Sequence, residues 1–216
     1  MTTPVIVLDF DGVIVESNNI KHEAFAEIFS SYPDHYDEMM RYHRAHNHVS
    51  RQEKFKFIME HILNIKDNNK GIDDLIQTFS SITRQRIITC PYVAGAVEFI
   101  THFSSRSSLY MASATPLEEL RIIIRERGLT VYFNNIYGAP TKKDVMFSEI
   151  IKIEKIKPDE LVFIGDSCED YEAACTAGVQ FIARKTDFDF SKFSIPICKD
   201  MCEVKLYLEG MYTWAI

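Results

Sequence analysis

Three short polar segments carry the chemistry open to this chain. Asp9-Phe10-Asp11-Gly12 follows the apolar run Val5–Leu8, Ser113-Ala114-Thr115 follows Leu109–Ala112, and Gly165-Asp166-Ser167-Cys168-Glu169-Asp170 follows Leu161–Ile164. A lysine pair, Lys142-Lys143, opens the helical pattern that precedes the last of them. Carboxylates, a hydroxyl and an ammonium group suit phosphoryl transfer. That reaction needs a nucleophile, an acid at the leaving oxygen, a divalent cation to offset charge, and donors for the equatorial oxygens. Magnesium takes one or two carboxylates besides water and phosphate oxygens, so three clustered acids leave one for covalent work. Each acid alone has a plainer reading. Asp-x-Asp-Gly also occurs in turns and calcium loops, and Asp166 with Ser167 suits the cap of a following helix.

For these segments to meet, the runs before them must lie side by side. Val5–Leu8, Leu109–Ala112, Leu161–Ile164 and Val179–Ile182 are each four residues long with no charged residue, the pattern of a strand buried on both faces. Between them, Val97–Ile100, Leu117–Arg127, and Met146, Ile150 and Ile153 have helical spacing. This alternation predicts an α/β fold, a Rossmann-like parallel sheet whose strand ends collect ligands. The stretch from Glu16 to Ile88 contains no convincing strand. Ile20, Ala24 and Ile28 mark one helical face; Phe55, Ile58, Met59 and Ile62 a second; Ile72, Leu75, Ile76, Phe79 and Ile82 a third. The predicted organisation is a core of residues 1–15 and 89–216 interrupted by an all-helical cap, residues 16–88. A single three-layer domain with peripheral helices is the alternative.

Taken in order, these segments resemble the four motifs of the haloacid dehalogenase-like hydrolases, in the branch of phosphoglycolate phosphatase and beta-phosphoglucomutase. Asp9-Phe10-Asp11-Gly12-Val13-Ile14-Val15-Glu16-Ser17 is similar to the first motif, and the resemblance covers nearly the whole chain. It implies that Asp9 attacks phosphorus to form an aspartyl-phosphate, and that Asp11 protonates the leaving oxygen and then activates water. It implies magnesium as cofactor, held by the Asp9 carboxylate, the Asp11 backbone carbonyl and Asp166, with Asp170 as a supporting acid. Ser113 would bond the phosphoryl group, with Ala114 beside it at the substrate. Lys143 would neutralise charge there, since Gly138-Ala139-Pro140-Thr141-Lys142-Lys143 resembles a variant whose lysine falls three residues after proline; Lys142 competes for the role. Two positions depart from the family pattern. Glu16 stands where many relatives have Asp, and Asp144 rather than proline follows Lys143.

The implied substrate is a small phosphorylated metabolite, such as a sugar phosphate. Val49-Ser50-Arg51 resembles a cap loop of beta-phosphoglucomutase and related sugar phosphatases in which the arginine meets a distal substrate group. Lys21, on the first cap helix, has two equal readings: it faces the site, or it runs its stem along an apolar face with the ammonium in water. His43, His46 and His48 lie near Arg41, Arg44 and Arg51; a polar, solvated or substrate-facing surface is expected there in preference to a metal site. A phosphosugar mutase and a non-catalytic phosphate-binding module are the alternatives. Dehalogenation is disfavoured by Asp11, because a halide leaving group needs no acid.

Composition removes other classes. With 24 Lys+Arg against 31 Asp+Glu and a net charge of -7, there is no basic stripe for nucleic acid. No uncharged run approaches the roughly 20 apolar residues of a membrane span. Val5–Leu8 is too short, and too soon interrupted by Asp9, to be a signal-peptide core, so a cytoplasmic protein is expected. The five cysteines include no Cys-x-x-Cys pair and suit reduced thiols; Cys198 and Cys202 are spaced as if bracketing a helical turn.

Overall fold

Side chains alternate between the two faces of a strand, so a run without polar interruption is stable only where both faces are covered. Val5–Leu8, strand β1, meets that condition, with all four residues buried. The computed structural model describes residues 3–46 and 49–214. It divides into two units, one of residues 1–16 with 90–216 and one of residues 17–89.

The second unit is helical, with α1 (Asn18–Phe29), α2 (Tyr36–Ala45), α3 (Arg51–Phe57) and α4 (Asn69–Thr89). Ser50 caps α3 in a reciprocal box with Glu53, and the helix runs on into a π-helical turn, Ile58–Ile62. The three predicted apolar faces meet in one cluster built on aromatic rings. Phe25 lies 4.5 Å from Phe79 and 5.2 Å from Phe55 between centroids, and Met39, Met40, Ile58 and Met59 fill the space around them. Helix α2 was not expected. Its inward residues are Met39, Met40 and His43, and a histidine does not register as part of an apolar stripe.

The first unit continues from β1 with α5 (Ala96–Phe103), β2 (Leu109–Pro116), α6 (Leu117–Glu126), β3 (Asn135–Ala139), α7 (Lys143–Glu154), β4 (Leu161–Gly165), α8 (Cys168–Ala177), β5 (Gln180–Arg184), β6 (Ile197–Cys198) and α9 (Met201–Met211). The six strands form a parallel sheet in the order β3-β2-β1-β4-β5-β6. On one face Val5, Val7, Phe163 and Phe181 pack with Met146, Phe147 and Ile150 of α7 and Ala174 of α8. The alternate residues Ile6, Leu8, Val162 and Ile164 are also buried, as a sheet covered on both sides requires.

Two strands, β3 and β6, were not predicted. Both lie at the sheet's edges; β3 is interrupted by Gly138, and β6 is two residues long with Ile197 exposed. Predicted strand Val179–Ile182 is shifted to Gln180–Arg184, and β2 extends past Ala112 to Pro116 with a shift in its pairing to β3. Cys198 and Cys202 do not bracket a helical turn. They belong to β6 and α9, and the five cysteines are free thiols. Among the described residues no helix is long and apolar enough to cross a membrane.

Candidate active site

β1 and β4 are adjacent and parallel, so the residues that follow them emerge together. Asp9 N donates to Ile164 O at 2.9 Å, extending the ladder by one residue before the chain turns. In that turn Phe10 is buried, its carbonyl accepts from Ile14 N at 2.9 Å, and Gly12 takes a φ of 73°, open to glycine without the penalty a side chain would impose. The buried phenylalanine between the two aspartates thus anchors a loop that leaves both carboxyls at the end of β1.

At the end of β4, Ser167 is the N-cap of α8 and Asp170 its N3 partner, with Asp170 N donating to Ser167 Oγ at 3.2 Å. The N-cap is thus Ser167, with Asp170 as its reciprocal partner. Asp170 Oδ2 accepts from the backbone N–H of Asp166 at 3.1 Å and of Ser167 at 3.2 Å. A Cβ on residue 165 would lie 2.6 Å from Asp170 Cβ, so only glycine lets the strand end and the helix approach this closely. Thr186 Oγ1 fixes the loop from the other side by donating to Asp166 O at 3.0 Å.

Carboxylate oxygens of Asp9, Asp166 and Asp170 lie within 4.8 Å of one another, and all three residues are buried. Lys143, the first residue of α7 beyond a cis Ala139–Pro140 peptide, places Nζ 3.1 Å from Asp9 Oδ1 and bonds Asp170 Oδ1. Burial alone would depress its ammonium, but Asp170 and then Asp9 outweigh that and hold its pKa above the ordinary lysine value. Lys142 is exposed. Of the two candidate lysines it is Lys143 that meets the acids.

Asp9 is pushed well above the ordinary carboxyl range, first by burial and then by Asp170, Asp166 and Asp11, with Lys143 opposing. Its Oδ1 contacts Lys143 as a charge but receives no well-directed hydrogen bond. An under-satisfied buried oxygen among three hard carboxylates, with Lys143 beside two of them, is a donor set that fits magnesium.

Ser113 and Thr115 are buried on β2, with the exposed Ala114 between them. Ser113 Oγ accepts from Thr115 N at 3.0 Å, and Thr115 Oγ1 donates to Asp11 Oδ2, also at 3.0 Å. The Thr115 side chain was missed as a site residue, although an i, i+2 spacing on a strand puts it on the same face as Ser113. Glu16 stands apart from the acidic cluster and pairs with Arg184, Nη2 to Oε1 at 2.5 Å and Nη1 to Oε2 at 3.2 Å.

Arg51 and Lys21 belong to the helical unit. The Arg51 guanidinium carbon lies 5.7 Å from the centre of the Phe79 ring. The expected polar histidine surface is not found at His43, which is buried against Phe25 with ring centroids 4.2 Å apart and Nδ1 3.2 Å from Lys54 Nζ. His46 Nδ1 lies 2.8 Å from Tyr42 O, and His48 lies outside the described residues.

Comparison with known proteins bears on this arrangement. The family model of haloacid dehalogenase-like hydrolases matches residues 6–184. The phosphorylated carbohydrates phosphatase of Thermotoga maritima is 28% identical over 187 residues, 82% of each chain. Among solved structures, a haloacid dehalogenase-like family hydrolase from Streptococcus pneumoniae superposes with a TM-score of 0.71 at 19% identity, covering 94% of this chain and 97% of that one. CbbY from Rhodobacter sphaeroides, in complex with phosphate, has a TM-score of 0.70 at 17% identity, with coverage of 94% and 96%. At such identities the structures establish the shared fold.

Proposed function

Since this chain belongs to the haloacid dehalogenase-like hydrolase family and is a phosphoric monoester hydrolase, we propose that it releases phosphate from small phosphorylated carbohydrates through an aspartyl-phosphate on Asp9. The observation that carries this reading is the meeting of the buried Asp9, Asp166 and Asp170 with Lys143, the first residue of α7, where the adjacent strands β1 and β4 end. The carbohydrate class is suggested by the Thermotoga maritima relative.

In this reading the Asp9 carboxylate, the Asp11 backbone carbonyl and Asp166 would hold magnesium. When bound, it neutralises phosphate charge and the mutual repulsion of the acids. Asp170, whose oxygens already accept two backbone N–H groups and Lys143, keeps the lysine and the Asp166 loop in register. An Asp9 oxygen attacks phosphorus while the bond to the leaving oxygen breaks, and Asp11 gives that oxygen its proton. Asp11, now a carboxylate, takes a proton from water as the water oxygen attacks phosphorus. The bond between Asp9 and phosphorus then breaks, and inorganic phosphate leaves. Ser113 Oγ accepts from Thr115 N, and its own O–H serves as donor to a phosphoryl oxygen. Lys143 supplies positive charge beside the attacking carboxylate, and Ala114 leaves room for substrate.

We assign the helical unit the part of a cap and Arg51 that of a contact to the far end of the substrate. A phosphate-release screen across sugar, nucleotide and acid phosphates tests the reading. Stoichiometric phosphate from at least one sugar phosphate, abolished by chelator, is the expected result. Primer-dependent conversion of glucose 1-phosphate to glucose 6-phosphate with negligible phosphate release would replace hydrolysis by transfer.

A further inference from the structure

The Thr115 side chain takes no part in the phosphoryl-transfer steps, yet its hydroxyl is committed to the residue that handles the proton. Thr115 is buried, and Oγ1 donates to Asp11 Oδ2 at 3.0 Å. We propose that Thr115 is a positioning residue for acid catalysis, fixing which oxygen of Asp11 delivers the proton and where it points; this rests on the reading of Asp11 as the acid.

Rotation of an aspartate carboxyl about its last torsion is broad and roughly two-fold, so the backbone alone does not set the direction of its oxygens. A general acid, by contrast, acts only within hydrogen-bond reach of the leaving oxygen, and displacements near 1 Å carry large rate penalties. A threonine hydroxyl has one proton, and here it is given to Oδ2. Oδ2 is thereby held as an acceptor, and the proton passed to the leaving oxygen sits on Oδ1. An acceptor role for Oδ2 suits both forms of Asp11, so the contact persists while the residue acts first as acid and then as base.

Thr115 is itself held. Its N–H donates to Ser113 Oγ at 3.0 Å, and a β-branched side chain has few χ1 choices. It lies where the pairing of β2 with β3 shifts register, between Ala112 and Pro116. One strand segment thus sets both the hydroxyl assigned to the phosphoryl group and the direction of the acid.

The test compares Thr115→Val, which keeps the shape and loses the hydroxyl, with Thr115→Ser, which keeps the hydroxyl. The readout is kcat/KM for alkyl phosphates and for 4-nitrophenyl phosphate, because kcat/KM covers the steps up to formation of the aspartyl-phosphate and only alkyl leaving groups need a proton. General acid catalysis is worth about 100- to 10,000-fold, so Thr115→Val should lose about 10- to 100-fold on alkyl phosphates and only a few-fold on the aryl ester. Thr115→Ser should recover most of the loss. Equal losses on both ester types, or no recovery with serine, would overturn the proposal. Should the valine variant not fold, Thr115→Ala is read on the same pair of substrates with the same criteria. Asp11→Asn runs in parallel: if it too lacks leaving-group selectivity, the acid role of Asp11 fails, whereas selectivity in Asp11→Asn but not in the Thr115 variants sinks the positioning role alone.

Discussion

Lys143 is the cation within contact of both Asp9 and Asp170, and its removal exposes the cost of gathering acids. Breaking a buried pair from one side typically costs about 3–5 kcal/mol, since the remaining charge is neither hydrated nor compensated. Lys143→Ala should therefore lower stability by about that much in chelator-treated protein, with an about 100- to 1,000-fold fall in activity, the scale of losing one electrostatic contact to the transition state. Lys142→Ala, an exposed change, should stay within about 0.5 kcal/mol and keep its activity. Denaturant melts and phosphate release on the two variants decide the matter; equal effects would deny Lys143 its place. Asp9→Asn separates stability from chemistry in the opposite sense. The Asp9 carboxyl is pushed up by burial and by its acidic neighbours, so ionisation at neutral pH works against folding; the amide resembles the protonated form. Turnover should vanish while the metal-free melting temperature holds or rises, and a lower melting temperature would contradict this.

Among the elements, the helical unit hides two ionisable groups in its aromatic core. Burial, then Lys54, His22 and Arg44, push His43 down to about 3, and burial pushes Lys54 down to about 8. For His43 the unfolded chain binds its proton near pH 6.5 and the folded protein does not, so stability is present above pH 6.5 and is lost as pH falls from 6.5 toward 3. Acidification from pH 7 to pH 5 should cost about 1–2 kcal/mol through this residue. His43→Gln keeps an acceptor for Lys54 and does not titrate, so its unfolding free energy should fall by less over the same interval; an unchanged slope would remove His43 as the cause. At the end of β4, Gly165→Ala should destabilise by more than 1 kcal/mol, because the added carbon meets Asp170 at 2.6 Å. The same elements explain how far sequence reading reached. β1 and β4 were legible because a sheet covered on both faces demands unbroken apolar runs, and the acids were legible because they follow those runs directly. Edge strands β3 and β6 carry no such demand. The Thr115 and Arg184 contacts depend on how strands far apart in sequence are brought together, which no local pattern records.

At the scale of the whole molecule, a ligand that binds only the folded chain raises its stability by mass action. Magnesium added to stripped protein at about 100 times its dissociation constant should raise the unfolding free energy by about 2.7 kcal/mol, and Asp166→Asn should remove most of that gain. A magnesium titration of denaturant melts reads both, and an indifferent wild type would count against the metal site. The chain also leaves and re-enters the sheet-bearing unit in one place. Val15 bridges Tyr92 in antiparallel fashion, Glu16 N donates to Pro91 O at 3.0 Å, and Val93 N donates to Ile14 O at 3.0 Å. The chain therefore leaves and rejoins the first unit at two neighbouring backbone positions, as it would around a hairpin turn. Loop closure grows only with the logarithm of length, by about 0.6 kcal/mol for each doubling, so changes in the length of the excursion between them weigh little on the folding of the sheet. For the gene this makes the helical stretch a parenthesis: it can be lengthened, shortened or rewritten to suit a new substrate while the sentence around it, with Asp9 at its start, still reads.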